Sequence, residues 1–192
     1  MSFTSIDDLV SELTAGKTTG PVAWNKLVPA AHTAGRWYDF SGLAGTPVAN
    51  AWSGTALAWQ STNDTSTFAM PMGAAVSPDG KHLLNAMAVT PGVVPGVLML
   101  VDMQGYYPGI SLNVATAQTL TGTPTLRYAN GAGVRAYLVT TTASGATAHN
   151  VAMSYTDQAG NAGNTLPVTV SCTASAIVSH LTHTGTAANN YG

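Results

Sequence analysis

The chain has 192 residues, of which 7% are charged and 45% hydrophobic, and its net charge is −2. Soluble domains carry about 25% charged residues, so Thr, Ser, Asn, Gly and Ala here stand where charges usually do. The six cations (Lys17, Lys26, Arg36, Lys81, Arg127 and Arg135) are scattered singly, which argues against nucleic-acid binding through phosphate contacts.

The length allows a substantial core, in one domain or two small ones. The longest apolar run, GVLMLV at 96–101, lies between Pro95 and Asp102, far short of the ~20 residues of a membrane span. The N-terminus MSFTSIDDLVSEL lacks a positive region and places Asp7, Asp8 and Glu12 where a signal peptide is apolar, so neither an export signal nor a membrane anchor is expected. Low charge also has a physical meaning. A permanent interface favours few charges to desolvate, whereas a free monomer relies on charge to stay dispersed. The composition points to life inside an assembly, the alternative being a monomer with a Thr/Ser/Asn surface.

The first predicted element is a helix. Ile6, Leu9, Val10 and Leu13 fall at i, i+3, i+4 and i+7 and make one apolar stripe. Ser5 suits the N-cap, Asp7 and Asp8 suit the first turn, and Gly16 suits the stop. At about ten residues such a helix is marginal alone and must dock on its own domain or on a neighbour.

Residues 17–65 hold all four tryptophans, Trp24, Trp37, Trp52 and Trp59, among Gly, Pro and Ser with little periodicity. They read as loops and short strands pinned by aromatic anchors. An aromatic platform for carbohydrate is the alternative.

From residue 66 the punctuation is that of β structure. Pro78-Asp79-Gly80 marks a turn, VPGVLMLVDM reads as a buried strand, and QGYYPG is the turn that ends it. TPTLRY, GVRAYLVTT, HNVAMSYTD and LPVTVSCTA follow, separated by Gly- and Asn-rich connections. Val134, Ala136 and Leu138 alternate with Arg135, Tyr137 and Val139. Across the Gly/Asn turn at 156–163, Val151, Met153 and Tyr155 share one face, and Leu166, Val168, Val170 and Cys172 share another, the pattern of a β-hairpin. The expected fold is mainly β: a sandwich or barrel-like β domain over 66–192, preceded by a 1–65 segment with the N-terminal helix or arm and the tryptophan-containing loops.

No motif carries catalysis. Cys172, the single cysteine, alternates with Val168 and Val170 and reads as a small buried hydrophobe. His180 and His183 in SHLTH would share a face on a helix but lie on opposite faces of a strand. No nearby carboxylate or cysteine completes a metal site with them. There is no G-x-S-x-G elbow, and GAGVRA is an incomplete dinucleotide fingerprint in the wrong context. Asp102, directly after an apolar run, is the carboxylate with most interest as a base and reads equally as a strand-end cap. No catalytic residue, metal or cofactor is expected.

Two resemblances lie in these residues. YTDQAGNAG at 155–163 resembles the strand-turn segment of bacterial immunoglobulin-like repeats. More widely, AGRWYDFSGLAGTP (34–47), PGVLMLVDMQGYYPGI (95–110), TGTPTLRYANGAGVRAYLV (121–139) and SGATAHNVAMSYTDQAGN (144–161) resemble virion structural proteins of tailed bacteriophages. That resemblance implies a non-enzymatic, capsid-associated protein, a decoration or minor capsid component. Such a protein is made in the host cytoplasm and located in the virion. Its partners would be other capsid or tail proteins and further copies of itself, with no nucleic acid and no membrane. A tail or fibre module binding host glycans is the alternative, and the relatives run longer than this chain. Ile6, Leu9, Val10, Leu13, Trp24 and Trp37 are the expected interface residues.

Overall fold

The amphipathic stripe at the N-terminus does form a helix, α1 (Ile6–Thr14), and the Ser5 hydroxyl caps it by accepting the Asp8 N–H at 3.1 Å. Asp7 and Asp8 fill the first turn, where the helix dipole favours negative charge. The computed structural model describes residues 5–14, 24–27, 37–62, 66–68, 99–127, 134–147, 149–156, 160–165, 170–172 and 180–183. Ile6 and Val10, one turn apart, are exposed by 80% and 53%. The side chains of Leu9 and Leu13 lie outside the described residues, as do the Pro78–Gly80 turn and Gly16.

The rest of the described chain is mainly β. Its strands are short, and they pair antiparallel in five small sheets, one of three strands and four of two. With 20 glycines and 10 prolines, few stretches can hold a long ladder, because Pro removes a donor and Gly weakens a strand interior.

Strands β1 (Asn25–Lys26) and β3 (Gly45–Thr46) pair with Asn25 opposite Thr46, and the Leu27 N–H extends the ladder to the Ala44 carbonyl at 2.8 Å. Gly45 has φ of 136°, and a Cβ there would stand 2.0 Å from the Asn25 carbonyl oxygen, so no other residue fits. The loop from 39 to 50 closes on itself. Asp39 accepts from the Ser41 hydroxyl at 2.7 Å, and the Asn50 N–H donates to the Ser41 carbonyl at 2.8 Å.

Strand β4 (Gln60–Ser61) pairs with β5 (Gly105–Tyr106). The pairing continues on both sides: Thr62 N–H reaches the Gln104 carbonyl at 3.1 Å and Leu57 N–H the Pro108 carbonyl at 2.7 Å. On its other edge the same stretch meets Thr121 in a parallel bridge, through Trp59 N–H to Thr121 O at 2.9 Å and Thr121 N–H to Leu57 O at 2.7 Å. Residues 57–62 are thus gripped from two sides. That grip holds Leu57 at φ 61°, and the Asn50 side-chain oxygen, accepting the Trp52 N–H at 2.9 Å, helps hold Trp52 at φ 51°. A non-glycine residue in this region costs roughly 1–3 kcal/mol unless its surroundings over-determine it, and here they do.

The hairpin foreseen from residue 149 onward is present in two sections. Strand β7 (His149–Val151) pairs with β10 (Val170–Cys172), and β8 (Ser154–Tyr155) with β9 (Asn164–Thr165). Between the sections one side has two residues (152–153) and the other four (166–169), so the register shifts by two. Pro167, which has no N–H to donate, falls on the longer side. His149, Val151, Met153 and Tyr155 are half-buried while Asn150, Ala152, Ser154 and Thr156 are exposed, the expected alternation. Cys172 and the other apolar positions of the returning strand have side chains outside the described residues. Finally, β2 (Trp37–Tyr38), β11 (His180–His183) and β6 (Tyr137–Val139) make the three-stranded sheet with β11 in the centre.

Three expectations are corrected. QGYYPG is not a turn: Gly105 and Tyr106 form β5, where the missing Cβ of Gly105 lets the backbone close on Gln60. VPGVLMLVDM is not a buried strand over its described part: Met99, Leu100 and Val101 are 60–64% exposed and join no ladder. Residues 123–126 of TPTLRY likewise join none. In these last two places hydrophobic texture suggested a strand, but the stretch 57–62 already pairs with residues 104–108 on one side and, through 57–59, with Thr121 on the other.

Candidate functional site

Asp102 is the carboxylate that the sequence singled out, and it lies in a closed polar cluster. Both of its carboxylate oxygens accept from Arg127, Oδ2 from Nε at 3.3 Å and Oδ1 from Nη2. Oδ2 also accepts from the buried Gln104 Nε2 at 2.8 Å. The Gln104 side-chain oxygen in turn takes the Arg127 backbone N–H at 2.8 Å. The guanidinium continues to the carbonyls of Thr62 and Met103, each at 2.6 Å, and the buried Thr62 hydroxyl donates to the same Met103 carbonyl. A general base must present a free lone pair to its substrate. Here the lone pairs meet an arginine fork and an amide, and the arginine is spent on carbonyls. This constellation joins residues 62, 102–104 and 127, and the Arg127 and Asp102 side chains at its edge are nearly half exposed.

Lys26 anchors β1 in a comparable way. Its ammonium donates to the carbonyls of Leu43 at 3.1 Å, Val48 at 3.3 Å and Pro47. Burial lowers its pKa below the ordinary 10.5, and the Asp39 carboxylate opposes that shift.

The structure divides the four tryptophans into two pairs. Trp52 stands edge-on to Tyr106 with centroids 5.3 Å apart, and Trp59 packs on Tyr107 at 5.2 Å. A Cβ at Gly105 would fall 2.3 Å from the Trp59 ring, so that glycine makes room for the indole. These two are the aromatic anchors. Trp24 and Trp37 are exposed by 40% and 50%, although Trp24 touches Phe40 at 5.6 Å. Trp37 and Val139 both register with Leu181, and Tyr137 lies two residues from Val139. Trp37 and Tyr137 therefore share one face of the three-stranded sheet, and Tyr137 is 41% exposed.

His180 and His183 lie on a strand, not a helix, so their spacing sets them on opposite faces. Among the described residues no group of three or more His, Cys, Asp or Glu could hold a metal ion, and no helix is long and apolar enough to cross a membrane.

The balance of apolar surface is the site's main feature. Leu43 is the one large apolar side chain buried among the described residues, whereas thirteen are exposed. Four of the six expected interface residues (Ile6, Val10, Trp24 and Trp37) are among the thirteen. Sequence reasoning missed Leu27, Val48, Met99, Leu100 and Val101, which the structure exposes by 57–68%. The run GVLMLV is visible in sequence, but its exposure depends on which partners the neighbouring strands had already taken. No family model, no curated protein and no solved structure matches this chain.

Proposed function

We propose that the chain is a non-enzymatic virion structural protein of a tailed bacteriophage, most consistent with a decoration or minor capsid component, acting through contacts with other copies and other virion proteins. One observation carries this reading: a single buried large apolar side chain against thirteen exposed ones among the described residues. Fully burying such a side chain contributes roughly 1.5–3 kcal/mol, and net stabilities are only 5–15 kcal/mol, so covering even a few of them in an interface would change the stability decisively. The near absence of charge, 7% of residues, lowers the desolvation cost of that covering. In this reading the small sheets belong to a sandwich or barrel-like β domain, and its place is the virion.

The test is the solution mass by light scattering over a concentration series, followed by sedimentation with capsids that lack the chain. A closed oligomer or co-sedimentation is the expected result. A monomer that binds no particle would overturn the proposal.

A second reading has its own observation. Trp37 and Tyr137 lie exposed on one sheet face, as a tail or fibre module stacking host glycans would need. Host polysaccharide would then quench tryptophan fluorescence, and W37A would remove the quenching.

A further inference from the structure

We propose that the exposed face of the three-stranded sheet binds an acidic polysaccharide, with Trp37 and Tyr137 stacking on its sugar rings and Arg135 pairing with its carboxylates. The inference rests on the glycan reading above and names the class of glycan.

Burial shows which side of the sheet is open. Trp37 and Tyr137 are exposed by 50% and 41%, whereas Tyr38 and Leu138, which alternation sends to the other side, are half-buried. Both outer strands run antiparallel to β11, so β2 and β6 run the same way, and Trp37 is level with Val139 across Leu181. Two inter-strand steps, and two residues along β6, separate Trp37 from Tyr137, about 12 Å in all. One sugar ring cannot cover both aromatic rings, but a chain of several sugars can. Each aromatic ring offers a flat apolar face to the C–H groups of a pyranose.

Arg135 supplies the charge. It is exposed and lies two residues ahead of Tyr137 in a stretch without turn or bend, so the two Cα atoms are no more than about 7 Å apart. In extended chain such a pair leaves on one side. Lys26 and Arg127 are spent on backbone carbonyls and on Asp102, but Arg135 makes no hydrogen bond or ion pair. Among the described residues it is the one cation of which this holds. Asp39 lies two residues past Trp37, at the end away from Arg135, and already accepts from the Ser41 hydroxyl and the Gly42 N–H. A planar guanidinium takes a carboxylate through two parallel bonds. A nucleic-acid site needs several neighbouring cations, and here there is one. Spaced rings beside a single fork match a polymer of apolar ring faces and carboxylates, which is a polyuronate.

The experiment titrates the full chain with oligogalacturonates of increasing length and with their neutral methyl esters, reading tryptophan fluorescence. Single-stranded oligothymidylate serves as a second polyanion. The acid form is expected to quench, and to bind more tightly once it is long enough to reach both rings. The ester is expected to bind about tenfold more weakly. R135Q, at an exposed residue without partners, should bring the acid down to the affinity of the ester. W37A, checked for fold by circular dichroism, should weaken both. An ester that binds as tightly as the acid, or an R135Q that loses nothing, would remove the acidic class and leave the glycan reading standing. No binding of either form, or binding that W37A leaves intact, overturns both. Oligothymidylate binding as tightly as the acid would overturn the proposal in favour of a single-stranded nucleic acid.

Discussion

Arg127 and Asp102, 25 residues apart, meet with the guanidinium across both carboxylate oxygens, and the same guanidinium reaches the carbonyl of Thr62 65 residues away. One side chain therefore ties three separate stretches together. An exposed ion pair by itself contributes about 0–1 kcal/mol, and this pair is nearly half exposed. The larger share comes from the carbonyls and from the buried Gln104 that the arginine backbone satisfies.

Substituting R127K keeps the charge and removes the fork. We expect a loss of about 1–2 kcal/mol in urea denaturation, with the midpoint lowered and the slope unchanged. D102N should lower stability in the same assay by a similar or smaller amount. Unchanged stability of both variants would show that the cluster is not a structural tie.

Gly105 and Gly145 make opposite predictions for one substitution. At Gly105 an added Cβ would stand 2.3 Å from the Trp59 ring and 2.5 Å from the Gln60 carbonyl oxygen, while at Gly145 nothing lies within 4 Å. G105A should cost at least ~2 kcal/mol, as over-packing against backbone does, and should change the fluorescence of Trp59. G145A should be neutral or stabilise by up to about 1 kcal/mol through the unfolded chain. Thermal melts of the two variants side by side decide the matter.

Lys26 holds β1 through three carbonyls. K26M keeps much of the stem and leaves those acceptors without their donor, which costs about 1–3 kcal/mol locally. The expected signature is faster hydrogen exchange at the Leu27 amide, bonded to Ala44, with little change at Trp59. Equal protection of the Leu27 amide in the variant and the wild type would contradict the anchoring role.

Tyr107 donates its hydroxyl to the Gly122 carbonyl at 2.8 Å, and burial raises its pKa above 10.0. The folded form then keeps a proton that the unfolded chain loses first, so stability falls as the pH rises above about 10. Lys26 has the opposite sign, since its folded pKa is lowered: between that value and 10.5 the unfolded chain holds the extra proton, and stability rises with pH. Both variants compared must therefore share Lys26. Y107F should lose less stability than the wild type between pH 10 and higher values, and parallel pH profiles would rule the assignment out.

The helix and the hairpin were legible because their information is local. The stripe Ile6, Leu9, Val10, Leu13 with Ser5 before it specifies α1, and the hydroxyl caps Asp8 as expected. The alternation through Val151, Met153 and Tyr155, with glycines at 160 and 163 in positive φ, specifies a hairpin through period and turn chemistry alone. Its two-residue register shift was not legible, because both ladders satisfy the same alternation.

What the sequence determined by itself is a nearly neutral, β-rich chain with a capped N-terminal helix and a C-terminal hairpin, each set by side-chain spacing within a dozen or so residues. The tertiary structure decided the rest. It made Asp102 a partner of Arg127, sent Trp52 and Trp59 inward against Tyr106 and Tyr107, and left Trp24 and Trp37 outside. It also turned the most apolar run of the chain outward at Met99–Val101. These outcomes depend on contacts between residues that are 25 to 65 positions apart, and hydrophobicity fixes only that a segment prefers burial, not which surface is still free to bury it.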